Sequence, residues 1–275
     1  MTGGPAQGWL DLRGVGRSFR VKGETFAALR DVDLLVSPGE FVTIVGASGC
    51  GKSTLLRIIA GLDTEAQGEV LQDGARVAGP SLGRGLVFQE PRLFPWLTVS
   101  QNVALGVLNS GLDRDAKRRT VAEHIALVGL GPFADAYPHQ LSGGMAQRAA
   151  IARGLVSRPG VLLLDEPFGA LDALNRARLQ AELLRIWARE RVTMVLVTHD
   201  VDEAVYLADR VVVMAPQPGR IDTILPVHLP HPRDRDGPEL LRLRTGILRR
   251  LETTVPAAPP APAASRWSEA LVSTA

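Results

Sequence analysis

The run Gly46-Ala47-Ser48-Gly49-Cys50-Gly51-Lys52-Ser53 follows the apolar stretch FVTIV and leads through Thr54 into a helix-forming segment. It fits the pattern G-x-x-x-x-G-K-[ST] in the strand, loop and helix context that gives the pattern its meaning. Glycines allow the loop to turn its backbone N–H groups inward toward phosphate oxygens, and the helix that follows adds about half a positive charge at its start. The spacing puts Lys52 within reach of β and γ phosphates and places the Ser53 hydroxyl where it can ligate Mg2+. Cys50 reads as filler within this loop. A chain carrying the run must build a buried strand beside a helix, which confines it to α/β folds.

Further strand-length apolar runs occur at Phe41 to Val45, Leu86 to Phe88, Val161 to Leu164, Met194 to Val197 and Val211 to Met214. Strands this uniformly apolar are buried on both faces, as in a parallel sheet flanked by helices. Helical patterns lie between them: Thr54 to Ala60 stopping at Gly61, Ala173 to Arg189 after a capping Asp172, and Asp202 to Ala208. Residues 9 to 40 and 68 to 79 read as antiparallel strands with turns at Pro38-Gly39 and Asp73-Gly74. Residues from about 95 to 157 read as a helical insertion, with Ser100 capping one helix, Asp115 to Val128 forming another, and Ser142 capping a third that runs from Gly143 to Val156.

The 275 residues, 45% hydrophobic, suffice for one large domain with an inserted subdomain, and this excludes disorder as the main state. A net charge of only +2 gives no electrostatic footprint for nucleic acid, so no nucleic-acid partner is expected. The single cysteine excludes an internal disulfide and makes a cysteine-based zinc site a poor expectation. The N-terminal MTGGPAQGWLDLRG lacks the basic start and apolar stretch of a signal peptide, and no run of roughly eighteen apolar residues occurs, so neither export nor a membrane span is expected. Residues 1–8 read as a flexible start, 9–251 as the folded domain, and 252–275, rich in Pro, Ala and Ser, as a disordered tail.

The strand Val161 to Leu164 ends in Asp165-Glu166-Pro167. Ligands of parallel sheets bind beyond the carboxyl ends of the strands, where this acid pair falls. Asp165 can hold Mg2+ through a water, and Glu166, beyond the strand, can polarise an attacking water as general base. His199 follows the strand ending at Thr198 and is placed to contact a γ-phosphate. Gln89 follows Leu86-Val87-Phe88, and its amide can ligate Mg2+ and help position water.

The ordered series GASGCGKST, Gln89, LSGGMAQ, LLLDEP, Ala170-Leu171-Asp172 and His199 resembles the nucleotide-binding subunit of ABC transporters over residues 9 to about 230. The resemblance implies a P-loop NTPase core of the RecA-like kind, with an antiparallel β subdomain and an inserted α-helical subdomain. It implies ATP and Mg2+ as cofactors, with Phe19 stacking on adenine and Phe26 as the nearby alternative. It also implies a head-to-tail homodimer in which Ser142, Gly143 and Gly144 bind the γ-phosphate held by a second copy, with Asp172 at the seam. LSGGMAQ departs from the commoner LSGGQ at Met145, which puts any side-chain contact from that position in doubt.

The phrases VFQEPRLFPWLTVSQNV and THDVDEAVYLADRVVVMAPQPGRI are similar to the subfamily serving importers of nitrate, sulfonate, taurine and related small oxoanions. Integral permease subunits, and indirectly a periplasmic or extracellular binding protein, are the implied partners, with the chain peripheral at the cytoplasmic face of the membrane. A soluble ABC-type ATPase and an exporter motor are the rivals. The former usually joins two cassettes or carries a long coiled coil, neither of which is present.

Two segments stay outside the motifs. In Pro91 to Leu97, the residues Leu93, Phe94 and Trp96 either pack beneath the helical insertion or form the groove for a permease helix. In residues 239 to 251, Leu240, Leu243, Ile247 and Leu251 share one helical face with Arg residues elsewhere, which suits a helix packed on its own domain, with membrane-surface contact as the alternative.

Overall fold

The computed structural model describes residues 7–21 and 23–254. The strands are β1 Leu10–Val21, β2 Glu24–Val36, β3 Phe41–Gly46, β4 Gln67–Gln72, β5 Ala75–Arg76, β6 Arg84–Val87, β7 Val161–Asp165, β8 Thr193–Thr198, β9 Arg210–Ala215 and β10 Arg220–Pro226. The helices are α1 Lys52–Ala60, α2 Val99–Ala104, α3 Arg114–Leu127, α4 Gly143–Leu155, α5 Ala173–Glu190, α6 Val201–Leu207 and α7 Pro238–Thr254.

Two sheets form. A six-stranded sheet has the order β10-β9-β3-β8-β7-β6, and its strands are parallel except for β10, which pairs antiparallel with β9 at the edge. A four-stranded antiparallel sheet has the order β2-β1-β4-β5. The uniformly apolar strands are the ones buried on both faces, as their composition requires: every residue of β3 and β8 is buried.

Alternation along these strands divides the core. Val161 and Leu163 of β7 join Val42, Ile44, Val195 and Val197 in a cluster with α1 and the inner face of the antiparallel sheet. Leu162 and Leu164 point the other way, into a cluster with α2, α3, α4 and α5. A third cluster joins α6 and α7 to Val45, Val211 and Val213, and there Leu240 and Ile247 are buried with Leu243 and Leu251 packed beside them. That is the self-packing face expected from the sequence.

Several boundaries differ from expectation. Thr98, not Ser100, caps α2: its hydroxyl accepts from the Gln101 N–H at 3.2 Å, while the Gln101 side chain accepts from the Thr98 N–H at 2.9 Å. This reciprocal capping box satisfies two backbone donors, which a lone Ser100 two residues later cannot do. Asp113 likewise caps α3, starting it ahead of Asp115. Helix α7 runs through 252–254, three residues past the boundary expected for the tail; residues 255–275 lie outside the described residues. Residues 1–6 also lie outside, whereas the Gly8 N–H is held by Asp73 Oδ1 at 2.8 Å.

Candidate active site

The loop 46–51 leaves the carboxyl end of β3 and enters α1. Gly46 admits no side chain, because a Cβ there would lie 2.6 Å from Cys50 Sγ and 2.9 Å from the Met214 carbonyl. Gly51 precedes the helix at φ 95°, in the left-handed region where glycine has no steric penalty, and contributes no side-chain cap. The first N–H groups of α1 therefore have no side-chain acceptor and face outward as an anion site. Lys52 is buried, and its ammonium donates to the carbonyls of Gly46 at 2.8 Å and Ala47 at 3.1 Å. Both partners are neutral, so the positive charge is left for an anion at the loop.

A cavity of about 620 Å³ opens over this loop, lined by Phe19, Phe26, Ala28, Ser48, Gly49, Gly51, Lys52, Ser53, Thr54, Glu166 and His199. Residues from four parts of the chain thus meet at the ends of the parallel strands. Phe19 and Phe26 are cross-strand partners in the β1–β2 hairpin, and both are exposed at the pocket mouth. One face of the Phe19 ring carries the Arg17 guanidinium at 4.5 Å, itself fixed by Asp63 and Glu65.

The acid pair falls as the spacing predicts. Asp165 ends β7 and its Oδ1 accepts from the Ser53 hydroxyl at 2.9 Å, which joins the loop to the acid-bearing strand. Glu166 lies just past the strand at φ 44° and is tied to β8 by its N–H to the Val197 carbonyl at 2.9 Å. A non-glycine residue in this region costs on the order of 1 kcal/mol or more and persists only where surrounding structure enforces it. The turn directs its carboxylate into the pocket, where Oε2 meets His199 Nδ1 at 2.9 Å.

A hydroxyl, a carboxylate and phosphate oxygens form the hard oxygen donor set that suits Mg2+. Among the described residues there is no cluster of three or more His, Cys, Asp or Glu able to hold a metal alone. A metal at Ser53 and Asp165 would therefore rely on ligands from bound phosphate and water.

Other expected residues lie off the pocket. Gly46, Ala47 and Cys50 form the back of the loop and do not line the cavity. Cys50 is fully buried, and burial pushes its thiol pKa up despite the opposing charge of Lys52. Gln89 packs against the loop after Glu166: a Cβ on Gly169 would lie 3.0 Å from its Nε2. Asp172 is exposed and caps α5 by accepting from the Asn175 N–H at 3.0 Å and its side-chain amide at 2.6 Å, bonds that hold its carboxyl below the usual range.

Ser142 and Gly144 occupy a different surface. They line a cavity of about 430 Å³ with Arg148, Asn175, Arg178, Leu179 and others, which shares no residue with the first. Ser142 caps α4 as expected, accepting from the Met145 N–H at 3.3 Å. The two glycine-rich helix starts of this chain are thus physically separate. Met145 turns inward against the helical cluster, consistent with a backbone-only role for the exposed end of this helix.

The bonds that hold these pieces in place are not legible from the motifs, although Gln147 itself lies within LSGGMAQ and Asn102 within VFQEPRLFPWLTVSQNV. Gln147 is buried and donates to the Phe88 carbonyl at 3.0 Å, beside Gln89, while Arg153 donates to the carbonyls of Pro91 and Arg92 at 2.8 Å each. Asn102 is buried and fastens the aromatic turn, accepting from the Phe94 N–H and donating to the carbonyls of Phe94, Leu97 and Thr98. With that turn fixed, Leu93 packs inward while Phe94 and Trp96 stay exposed, Trp96 by 68%, with their rings 5.3 Å apart. The Ser142 cap and the run to Val156 mark α4 as a helix, but nothing local indicates which carbonyls its polar side chains reach.

Comparison with known proteins agrees with this geometry. The family model described as ABC transporter matches residues 29–169. The chain belongs to the ABC transporter family. It is 54% identical over 226 residues to a putative ATP-binding protein of Brucella abortus, covering 81% of this chain and 86% of the relative. It is 48% identical over 238 residues to the aliphatic sulfonates import ATP-binding protein SsuB of Bacillus subtilis, covering 86% of this chain and 92% of SsuB. Among solved structures it is similar to a dimeric post-hydrolysis state of the ATP-binding cassette MJ0796 bound to ADP and Pi, with TM-score 0.70 and 32% identity over 80% of this chain and 99% of that one. The fold also matches cbiO1 of Clostridium perfringens, part of the ABC transporter complex cbiONQ, with TM-score 0.73 and 26% identity over 90% of this chain and 95% of that one. The expected α/β cassette with an antiparallel layer and a helical insertion is the fold observed.

Proposed function

We propose that this chain is the ATP-hydrolysing subunit of an ABC importer for aliphatic sulfonates or related small oxoanions, acting as a head-to-tail homodimer. The observation that carries the chemistry is the meeting of Lys52, Ser53, Glu166 and His199 around one cavity, with Asp165 bonded to Ser53 behind it. The sulfonate assignment is supported by several SsuB relatives at 46–50% identity.

In this reading, the aromatic mouth holds adenine, with Phe19, buttressed by Arg17, as the principal stacking surface and Phe26 beside it. The loop amides and Lys52 neutralise the phosphates. Ser53 and Asp165, with the Gln89 amide, would hold Mg2+, which would supply positive charge against the negative charge of the phosphates. Glu166 accepts a proton from the attacking water, whose oxygen bonds to the γ-phosphorus as the bond to the β-bridging oxygen breaks, giving ADP and phosphate. His199 keeps the Glu166 carboxylate aimed at that water and faces the γ-phosphate. Ser142, Gly143 and Gly144 close the site of the second copy, so hydrolysis waits for two chains to meet.

No helix among the described residues is long and apolar enough to cross a membrane. The chain works as a peripheral subunit at the cytoplasmic face, and the exposed Phe94 and Trp96 on their Asn102-fixed turn receive a helix of the permease. A separate binding protein delivers the solute, and this chain does not touch it. The test is uptake of alkanesulfonates in membranes holding the chain with its permease and binding protein. Trp96→Ala should reduce uptake at least tenfold while ATP hydrolysis by the isolated chain stays within twofold. Uptake of none of the small sulfonates or related oxoanions would overturn the substrate class.

A further inference from the structure

The turn that carries His199 is built more firmly than its exposed ring suggests. Thr198 donates its hydroxyl to Glu203 Oε2 at 2.7 Å and accepts from the Asp200 N–H at 3.0 Å. Asp200 Oδ1 in turn caps α6, accepting from the N–H groups of Asp202 and Glu203. Glu203 is buried. His199 therefore has its backbone held between two fixed residues, while its exposed ring is met on the pocket side by Glu166 Oε2.

Arg176, in the first turn of α5, joins the frame to a different part of the molecule. Its Nη1 lies 3.4 Å from Asp200 Oδ2, and its Nη2 donates to the Leu171 carbonyl at 3.2 Å. The Nε is buried without a hydrogen-bond partner, 3.8 Å from Glu203 Oε1, so a small shift of either element would make or lose a charged hydrogen bond. Leu171 directly precedes the exposed Asp172. Its side chain also reaches the start of α4, because a Cβ on Gly143 would lie 3.5 Å from Leu171 Cδ2. A continuous set of contacts thus runs from Gly143 through Leu171 and Arg176 to Asp200 and His199.

We infer that Arg176 is a positioning residue that sets His199 according to the placement of the Leu171–Asp172 loop. Events at the Ser142–Gly144 surface then reach the hydrolytic group of the same chain without a contact to nucleotide. The inference rests on the proposed role of His199, and its test separates the two.

Single-turnover hydrolysis and fluorescent-nucleotide binding would be measured for the full chain with Arg176→Ala, Arg176→Lys, His199→Ala and the double variant Arg176→Ala/His199→Ala. Misplacement of a catalytic group on the ångström scale lowers turnover by about 10- to 100-fold. Arg176→Ala should show a fall of that size with nucleotide affinity within twofold, a shifted His199 imidazole resonance, and partial recovery in Arg176→Lys. In the His199→Ala background the same substitution should change turnover by less than twofold. An equal fall in both backgrounds, an unshifted His199 resonance, or Arg176→Ala turning over like the wild type would overturn the coupling. Wild-type turnover in His199→Ala would instead overturn the role given to His199, and the coupling with it.

Discussion

Helices α1 and α4 both begin with a glycine-rich turn, yet they present different chemistry. The start of α1 has no side-chain cap, and Lys52, Ser53, Asp165, Glu166 and His199 surround it with charge and proton-transfer groups. The start of α4 is capped by its own Ser142 and carries no acid or base at its tip. The first gathers most of a site, and the second presents a capped helix terminus over a separate cavity. A helix terminus alone offers an anion weak, general attraction, and only its surroundings decide whether catalysis follows. On the proposed function, that contrast accounts for two glycine-rich helix starts in one domain: the second would complete the site of another copy.

The comparison can be tested from its catalytic side first. Glu166→Gln keeps the shape of the α1 site but removes its base, so phosphate release should fall by about 10²- to 10⁴-fold while ATP still binds. Turnover within a few-fold of wild type would mean that the acid pair does not supply the base. Lys52→Ala makes the α1 terminus resemble the α4 terminus. Loss of a charge-assisted phosphate contact should weaken ATP binding by about 10- to 100-fold in equilibrium titration.

The frame behind His199 exists only on the α1 side and has its own signature. Burial pushes the Glu203 carboxyl up to about 7, Asp200 adds to the rise, and the Thr198 hydroxyl and the charges of Arg176 and His199 oppose it. A raised carboxyl pKa stabilises the fold fully below the unfolded value near 4.5, and this contribution is lost as pH rises through about 7. Glu203→Gln should remove a fall in stability of up to ~3 kcal/mol across that window, read from urea midpoints at pH 4.5 and 8. An unchanged pH slope would show that Glu203 titrates normally.

The smallest effect belongs to a third helix start. The α2 terminus is closed by the Thr98–Gln101 capping box and has no ligand to bind. Thr98→Ala should cost about 1 kcal/mol of stability, seen as a lower melting temperature, with ATP affinity unchanged.

Much of the α1 site was legible in the sequence because its parts are local. A strand, a glycine loop, a lysine and a hydroxyl fall within one short run, and the acid pair ends another strand whose apolar character is unmistakable. The Phe19 and Phe26 pair was legible as two candidates, and the hairpin register explains why: they are direct cross-strand neighbours. What was not legible depends on distant partners. Gln147 reaches Phe88, Arg153 reaches Pro91 and Arg92, and Arg176 reaches Asp200, all through side-chain bonds across elements that no period in the sequence encodes. The displaced cap at Thr98 has a different cause, since Thr98 and Ser100 are both competent hydroxyls and only the reciprocal reach of Gln101 distinguishes them. Glu203 stands three residues after Asp200, the spacing of a capping box, but its carboxylate turns inward to Thr198 instead.

The central claim is that the α4 terminus serves the ATP of a second copy. Its most direct test is the mass in solution, by light scattering, of Glu166→Gln and of Glu166→Gln/Ser142→Arg, each with and without Mg-ATP. The account predicts ATP-dependent dimers of the single variant, and monomers of the double variant that still bind one ATP per chain with affinity within twofold. Equal dimerisation of both variants, or loss of ATP binding by the double variant as a monomer, would contradict it.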